Sequence, residues 1–231
     1  MRHIKKDGEP RELTAFKAKG GTKYEGENLD KSPIQTQLLK EQGGLCAYCM
    51  SRIKAEPGKT PKMGIEHLKD RATHPGLQLD YNNMLGVCLG GKKKRETGKG
   101  SNKKENLHCD QSKDSDKGHF ELRFMNPLSE HVTAHYTFAD GYVLPNDSDQ
   151  QKLIEAEIEQ ALNLNNDFLV ENRRKLINEL KDRYTKDVKG KGKRDKTIFL
   201  NKMLRFYKEP NKNGQLQPYC EVAIQWLESK K

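Results

Sequence analysis

The chain has 231 residues, of which 33% are charged and 33% hydrophobic, with a formal net charge of +10. This basic excess indicates a polyanionic partner such as nucleic acid, although lysine-rich loops can also serve only solubility. The first residues, MRHIKKDGEP, lack the apolar stretch of a signal peptide, and no run approaches the roughly 20 apolar residues of a membrane helix. Five cysteines without an export signal favour a reducing cytosol, where closely spaced cysteines more often bind metal than form disulfides. We therefore expect a cytoplasmic protein without membrane association.

Taken in chain order, residues 1–31 are polar and glycine-rich, and they are expected to form an arm with little regular structure. The stretch SPIQTQLLKEQGG then predicts a helix with Ser32 as N-cap and Gln35 completing a capping box, ended by the glycine pair at 43–44. Residues 32–120 are expected to form a core that includes this lead-in helix. Apolar periodicity is weak beyond the helix, so this core is expected to depend on a metal for its fold.

Residues 121–231 show two patterns. The stretch HVTAHYTFADGYVLP alternates apolar and polar residues around Asp140-Gly141, which predicts a β-hairpin with a type I′ turn. From Ser148 onward the apolar spacing is helical, interrupted at 186–196 by a basic stretch that is expected to be a flexible loop. We expect this hairpin and helical region to pack on the core and to serve for partner docking, which gives an α+β protein.

Four cysteines are spaced as two halves of one metal site. Cys46 and Cys49 are separated by two residues, the spacing at which a tight turn presents two thiolates to a tetrahedral zinc ion. Cys88 and Cys109 can supply the other half. A site with four thiolates leaves no open coordination position, so this zinc is expected to be structural.

The second pair is separated by a basic insertion, residues 89–108, with seven Lys or Arg, two Glu and a local charge of +5. Only the ends of such a loop must converge, and the entropy cost of closing a loop grows slowly with its length. His108 remains an alternative to Cys109 as the fourth ligand. Cys220 lies far away in an apolar stretch and is expected to be a buried thiol.

The chemistry is expected to come from polar residues placed between and after the cysteine pairs. Glu66 and His67 are adjacent, and in an extended strand they would point to opposite faces. Asn83 stands five positions before Cys88, and Asp110 directly follows Cys109, with Lys113 three positions later. A Glu-His pair alone says almost nothing. The full order, however, from Leu45 to about Lys113, resembles the HNH nuclease family with its ββα-metal core.

The resemblance implies a role for each matched residue. His67 would be the general base that takes a proton from water, because the pKa of a free histidine lies near working pH. Glu66 and Asp110 would hold a hard catalytic cation, Mg²⁺ or Mn²⁺, against the scissile phosphate. Asn83 would hold the loop bearing His67 by hydrogen bonds and so set the orientation of the imidazole ring. Products would carry 5′-phosphate and 3′-hydroxyl ends.

Seven basic residues are expected to contact phosphates without reading bases: Lys69, Arg71, Lys92, Lys93, Lys94, Arg95 and Lys113. The sequence departs from the common family pattern in three places. Glu66 stands where Asp is usual, Asp110 stands where His or Asn is frequent, and the long insertion makes the Cys88–Cys109 pairing unusual.

Several motifs across most of the chain resemble one branch of that family, the PtuB nucleases of Septu-type and retron-associated anti-phage systems: MRHIKK, QGGLCAYCM, IEHLKD, LDYNNMLGVC, HCD, FADGYVLP and LNLNND. The resemblance implies a bacterial defence effector that works with an ATPase partner, PtuA. In retron versions it also implies a reverse transcriptase with its RNA–DNA product. DNA is the favoured substrate, and RNA such as tRNA stays open.

A second hypothesis from another class is a non-catalytic zinc-ribbon adaptor that binds nucleic acid through its basic loops. The two carboxylates, Glu66 and Asp110, distinguish the two hypotheses. An adaptor has no need of negative charges beside a phosphate, which they would repel.

Overall fold

The computed structural model of the protein describes residues 1–25, 28–56, 58–91, 106–115 and 120–231. In these ranges the chain is α+β, as predicted, with seven α-helices and two small antiparallel sheets. The helices are α1 (Arg11–Ala18), α2 (Ser32–Glu41), α3 (Asp110–Ser115), α4 (Gln151–Ala156), α5 (Asp167–Val188), α6 (Lys193–Lys208) and α7 (Cys220–Glu228). The strands are β1 (Gly64–His67), β2 (Met84–Val87), β3 (Tyr136–Ala139) and β4 (Tyr142–Pro145). None of the helices in the described ranges has both the length and the apolar character needed to cross a bilayer.

The first sheet pairs β1 with β2, from Gly64 opposite Val87 to His67 opposite Met84. Helix α2 leads into it as predicted, although the helix begins at Ser32 and Lys31 occupies the N-cap position without a side-chain cap. The Gln42 amide, just beyond α2, fixes the helix to the sheet. Its Oε1 accepts a hydrogen bond from the Gly86 N–H at 2.7 Å and its Nε2 donates to the Gly86 carbonyl at 2.7 Å. Both the oxygen and the nitrogen of this buried amide are hydrogen-bonded to the backbone of Gly86. These two bonds fix the position of β2 relative to α2.

The second sheet is the predicted hairpin. Strands β3 and β4 are joined by Asp140 and Gly141, whose φ angles of 45° and 84° are those of a type I′ turn. Gly141 is required here, because a Cβ would come within 2.6 Å of the Val170 carbonyl. The hairpin turn therefore packs directly on the backbone of α5.

Residues 1–31 differ from the expectation of an arm with little regular structure. They include helix α1, and Met1, Ile4, Leu13 and Tyr24 are buried in the same hydrophobic core as β1 and β2. Four apolar residues spaced by up to eleven positions give no periodic signal, so the sequence pattern alone missed their burial.

The C-terminal helices α5, α6 and α7 form a second hydrophobic core, which Leu45 and Met50 join from the cysteine region. The predicted flexible loop at 186–196 is wrong in extent. Helix α5 continues to Val188 and α6 begins at Lys193, so only 189–192 lie outside helices. Lysine and arginine have good helix propensity, and the two glycines at 190 and 192 mark the actual break.

The LNLNND motif forms the junction between the two halves. The Asn165 side chain makes two hydrogen bonds to the backbone of Val143 in β4. It accepts from the Val143 N–H at 2.8 Å and donates to the Val143 carbonyl at 3.0 Å. Asn166 caps α5 by accepting from the Phe168 N–H. Asn163 donates to the Leu107 carbonyl at 2.7 Å, close to the fourth cysteine.

Candidate metal centre and active site

The four cysteine sulfurs converge as the sequence predicts. Cys46, Cys49, Cys88 and Cys109 place their Sγ atoms within 4.8 Å of one another. The Cys46–Cys109 and Cys49–Cys88 pairs are each separated by 3.8 Å. A tetrahedral zinc ion with Zn–S bonds of about 2.3 Å requires sulfur separations of about 3.8 Å. The cluster therefore fits a structural metal ion such as zinc.

Backbone geometry presents each half of the cluster. In the first half the Met50 N–H donates to the Cys46 carbonyl, and Met50 has φ of 61°, which closes the turn. In the second half Cys109 itself has φ of 58°. Hydrogen bonds from Cys109 and the other thiols hold the pKa of Cys49 well below its usual range, whereas burial raises the pKa of Cys109 well above it. A buried cluster of this kind holds four thiolates only when a cation balances their charge.

The basic insertion is closed at its base by two glycines. The His108 N–H donates to the Gly90 carbonyl, and a Cβ on Gly91 would come within 2.1 Å of the Asn106 carbonyl. His108 Nδ1 lies 3.3 Å from Cys109 Sγ, beside the ligand rather than in its place. The predicted phosphate contacts at 92–95 lie outside the described residues.

A buried guanidinium, which sequence reasoning missed, lies near the cluster. Arg173 is 1% exposed and donates to the Gly141 and Leu164 carbonyls. Burial lowers its pKa to about 10, and the negative charges of Cys49 and Cys109 oppose that effect. A zinc ion bound by the four thiolates would give the cluster a net charge of −2, and Arg173 would supply part of the compensating charge.

The Glu66 carboxylate meets Asp110 and Lys113 between β1 and the first turn of α3. Asp110 and Glu66 share a hydrogen bond, which requires one proton between the two carboxyl groups. Asp110 Oδ2 lies 3.9 Å from where a Cβ on Gly64 would stand, so α3 faces the Gly64–Glu66 side of the strand. Glu66 Oε1 accepts hydrogen bonds from Tyr48 Oη at 2.9 Å and from Lys113 Nζ.

Burial alone raises the pKa of Glu66, but the hydrogen bond with Asp110 and the Lys113 ammonium outweigh burial and lower the pKa. Burial and the two carboxylates raise the pKa of Tyr48 well above its usual range, so Tyr48 stays a hydroxyl donor. The arrangement keeps a carboxylate ionised inside the protein.

His67 faces the other side of β1, as expected for the neighbour of Glu66 in a strand. Its Nε2 lies 3.0 Å from the Gln78 carbonyl, and its ring meets the Tyr24 ring edge-on at 4.5 Å. A carbonyl can only accept, so Nε2 bears the proton and Nδ1 has the free lone pair in the neutral ring. Burial lowers the pKa of His67, against the opposing effect of the Gln78 hydrogen bond. The neutral imidazole needed in a general base is therefore favoured.

Asn83 holds the loop that follows His67. Its Oδ1 accepts from the Lys69 N–H at 2.7 Å, and its Nδ2 donates to the carbonyls of Lys69 at 2.9 Å and Leu77 at 3.3 Å. The same loop carries Gln78, the hydrogen-bond partner of His67. Asn83 thus acts on the orientation of the imidazole through the backbone.

Comparison with models of known protein families and with curated protein sequences finds no match for this chain. A function for this chain is therefore inferred from the residues of the site.

The predicted phosphate-binding cations near His67 are paired with acidic side chains. Lys69 lies 2.8 Å from Glu121, and Arg71 lies 3.1 Å from Glu25 while its guanidinium covers the Tyr24 ring. These pairs are exposed, and exposed ion pairs contribute little to stability, so a phosphate can replace the carboxylate. Lys113 differs, because it is 7% exposed and directed at Glu66 rather than at the surface.

Proposed function

We propose that the protein is a metal-dependent phosphodiesterase of the HNH type that cuts nucleic acid. The observation that carries this proposal is the pairing of two different groups on β1. Buried, hydrogen-bonded carboxylates lie on one side of the strand, and a neutral imidazole with its Nδ1 lone pair free lies on the other. The chain order strand, strand, helix around these groups is the order that the ββα-metal resemblance implies.

Each residue of the site has a separate role in the proposed reaction. His67 takes a proton from water at Nδ1 while the Gln78 carbonyl holds Nε2 and fixes the ring. A hard cation bound by Glu66 and Asp110 would supply positive charge for the phosphate oxygens and the departing 3′ oxygen. Asn83 keeps the loop behind His67 in place. Cleavage of the bond between phosphorus and the 3′ oxygen, which then takes a proton from solvent, leaves 5′-phosphate and 3′-hydroxyl ends.

The resemblance to defence nucleases leads us to propose further that the chain is the effector of a bacterial anti-phage complex with an ATPase partner. The helices α5 to α7 are the surface proposed for docking that partner. In a retron version, the reverse transcriptase and its RNA–DNA product would join the complex.

The test is cleavage by the purified chain, alone and with the ATPase partner, of labelled plasmid and total tRNA together in Mg²⁺ or Mn²⁺. His67→Ala is the inactive variant, and His131→Ala, which changes an exposed histidine, is the matched control. Cleavage by wild type and His131→Ala but not by His67→Ala supports the nuclease, and the substrate that is lost identifies the nucleic acid. Binding of nucleic acid without cleavage in any mixture would favour the non-catalytic zinc-bearing adaptor instead.

A further inference from the structure

Lys113 lies within the carboxylate site. It stands one helical turn after Asp110 on α3, and its ammonium contacts Glu66 Oε1 and lies 3.4 Å from the His67 carbonyl. A surface lysine that binds phosphate would extend into solvent. This lysine is instead the cation that already accompanies the proposed metal ligands.

The lone pairs of Glu66 Oε1 are fully used. A carboxylate oxygen has two in-plane lone-pair sites, and Oε1 already accepts from the Tyr48 hydroxyl and from the Lys113 ammonium. A divalent cation that binds this oxygen must displace one donor. Tyr48 is fixed by complete burial, whereas lysine has a flexible four-carbon stem, so the ammonium is the group that can leave.

The charges lead to the same conclusion. Glu66 and Asp110 supply up to two negative charges, and the Lys113 ammonium balances one of them in a buried setting. A divalent cation balances both, and an ammonium retained on the same oxygen would then be repelled by it. At Oε1, therefore, the ammonium and the metal are alternatives.

We propose that Lys113 is a positioning residue that occupies the cation site of Glu66 until a divalent cation displaces its ammonium towards the substrate side. This inference rests on the proposed function, because it concerns the same site. It implies that the metal affinity of the resting protein is weakened by its own lysine. It also implies that metal binding exposes Lys113 at the moment when a phosphate needs a counter-charge.

The first measurement is Mn²⁺ binding to the full chain, followed by the electron paramagnetic resonance signal of free Mn²⁺. Lys113→Met keeps the length of the side chain and removes its charge, and we expect it to bind Mn²⁺ about tenfold more tightly than wild type. Lys59→Gln is the matched control, because the exposed Lys59 ammonium is paired with Glu56 outside the carboxylate site. Its affinity should stay within about twofold of wild type.

The second measurement uses only the wild-type chain. An amine-reactive acyl reagent, read by mass spectrometry, should modify Lys113 faster when Mn²⁺ is added, because displacement takes the ammonium out of its buried contact. Zinc content of Lys113→Met is measured in parallel. If that variant loses zinc, the labelling result decides alone.

The outcomes separate this inference from the proposed function. Tighter Mn²⁺ binding by Lys113→Met with faster labelling in Mn²⁺ supports the inference. Equal or weaker binding by a zinc-retaining Lys113→Met, or labelling that does not respond to Mn²⁺, overturns the role of Lys113 and leaves the nuclease intact. No Mn²⁺ binding by any of the three proteins overturns the cation site, and with it both proposals.

Discussion

Replacing Cys49 with serine tests the metal centre most directly. Cys49 is buried, and its Sγ lies 3.8 Å from that of Cys88, so serine removes one of four ligands and leaves the remaining thiolates without balanced charge. Zinc binding in small domains contributes about 10–16 kcal/mol at neutral pH. The stability of a whole domain is only about 5–15 kcal/mol. We therefore expect the core around 45–115 to unfold rather than loosen.

The assay is zinc content by mass spectrometry together with thermal unfolding followed by circular dichroism. Wild type should hold one zinc ion per chain, and Cys49→Ser should hold none and lose part of its cooperative transition. Cys220→Ser is the control, because the Cys220 thiol lies at the start of α7 outside the cluster, 3.7 Å from the Arg2 guanidinium. Full zinc content and unchanged unfolding in Cys49→Ser would refute the reasoning, as would wild type without zinc after refolding in its presence.

Four further predictions concern His67, Asn83 and Glu25. Because burial lowers the pKa of His67, the cleavage rate should rise with pH and reach its plateau before about pH 6.5. A rate that is still rising above that pH would contradict the assignment of His67 as the base. The unfolded chain binds this proton more readily, so the free energy of unfolding should also fall as pH decreases below about 6.5. Asn83→Ala removes two short hydrogen bonds and should lower the free energy of unfolding in urea by about 1–3 kcal/mol, and an unchanged value would show that the loop does not depend on it. Glu25→Gln frees both Lys31 and Arg71 and should steepen the salt dependence of nucleic-acid binding by about one to two counterions in anisotropy titrations. Glu12→Gln, on exposed surface, should leave the slope unchanged.

Sequence patterns predicted the parts of the fold in which local chemistry decides the structure. The Asp140-Gly141 turn has few alternatives, because both residues tolerate positive φ. Helix α2 has a clear apolar face and a glycine stop. Burial of Tyr24 and the continuation of α5 to Val188 depend instead on tertiary contacts, which override a polar composition.

In the candidate site, the four cysteines could be predicted from the sequence, whereas their surroundings could not. Spacing was sufficient to bring Cys88 and Cys109 together, because only the ends of the insertion had to meet. The partners that give the site its electrostatics could not be found in this way. The Gln78 carbonyl is a backbone group with no sequence signal, and Tyr48 and Lys113 reach Glu66 only because the turn and α3 pack against β1. Hydrogen-bond partners that are distant in sequence can be identified only once the fold is known.

The C-terminal half of the chain is hydrogen-bonded directly to the cysteine cluster. The Cys109 N–H donates to the Leu162 carbonyl at 2.7 Å. Leu162 follows a π-helical turn at Glu157–Ala161, and Cys109 directly precedes Asp110. Single π turns are rare and occur frequently at functional sites. A change in the conformation of this turn would shift Cys109 and, with it, Asp110. The position of this one carboxylate would then depend on the helical region, while Cys46 and Cys49 stayed in place.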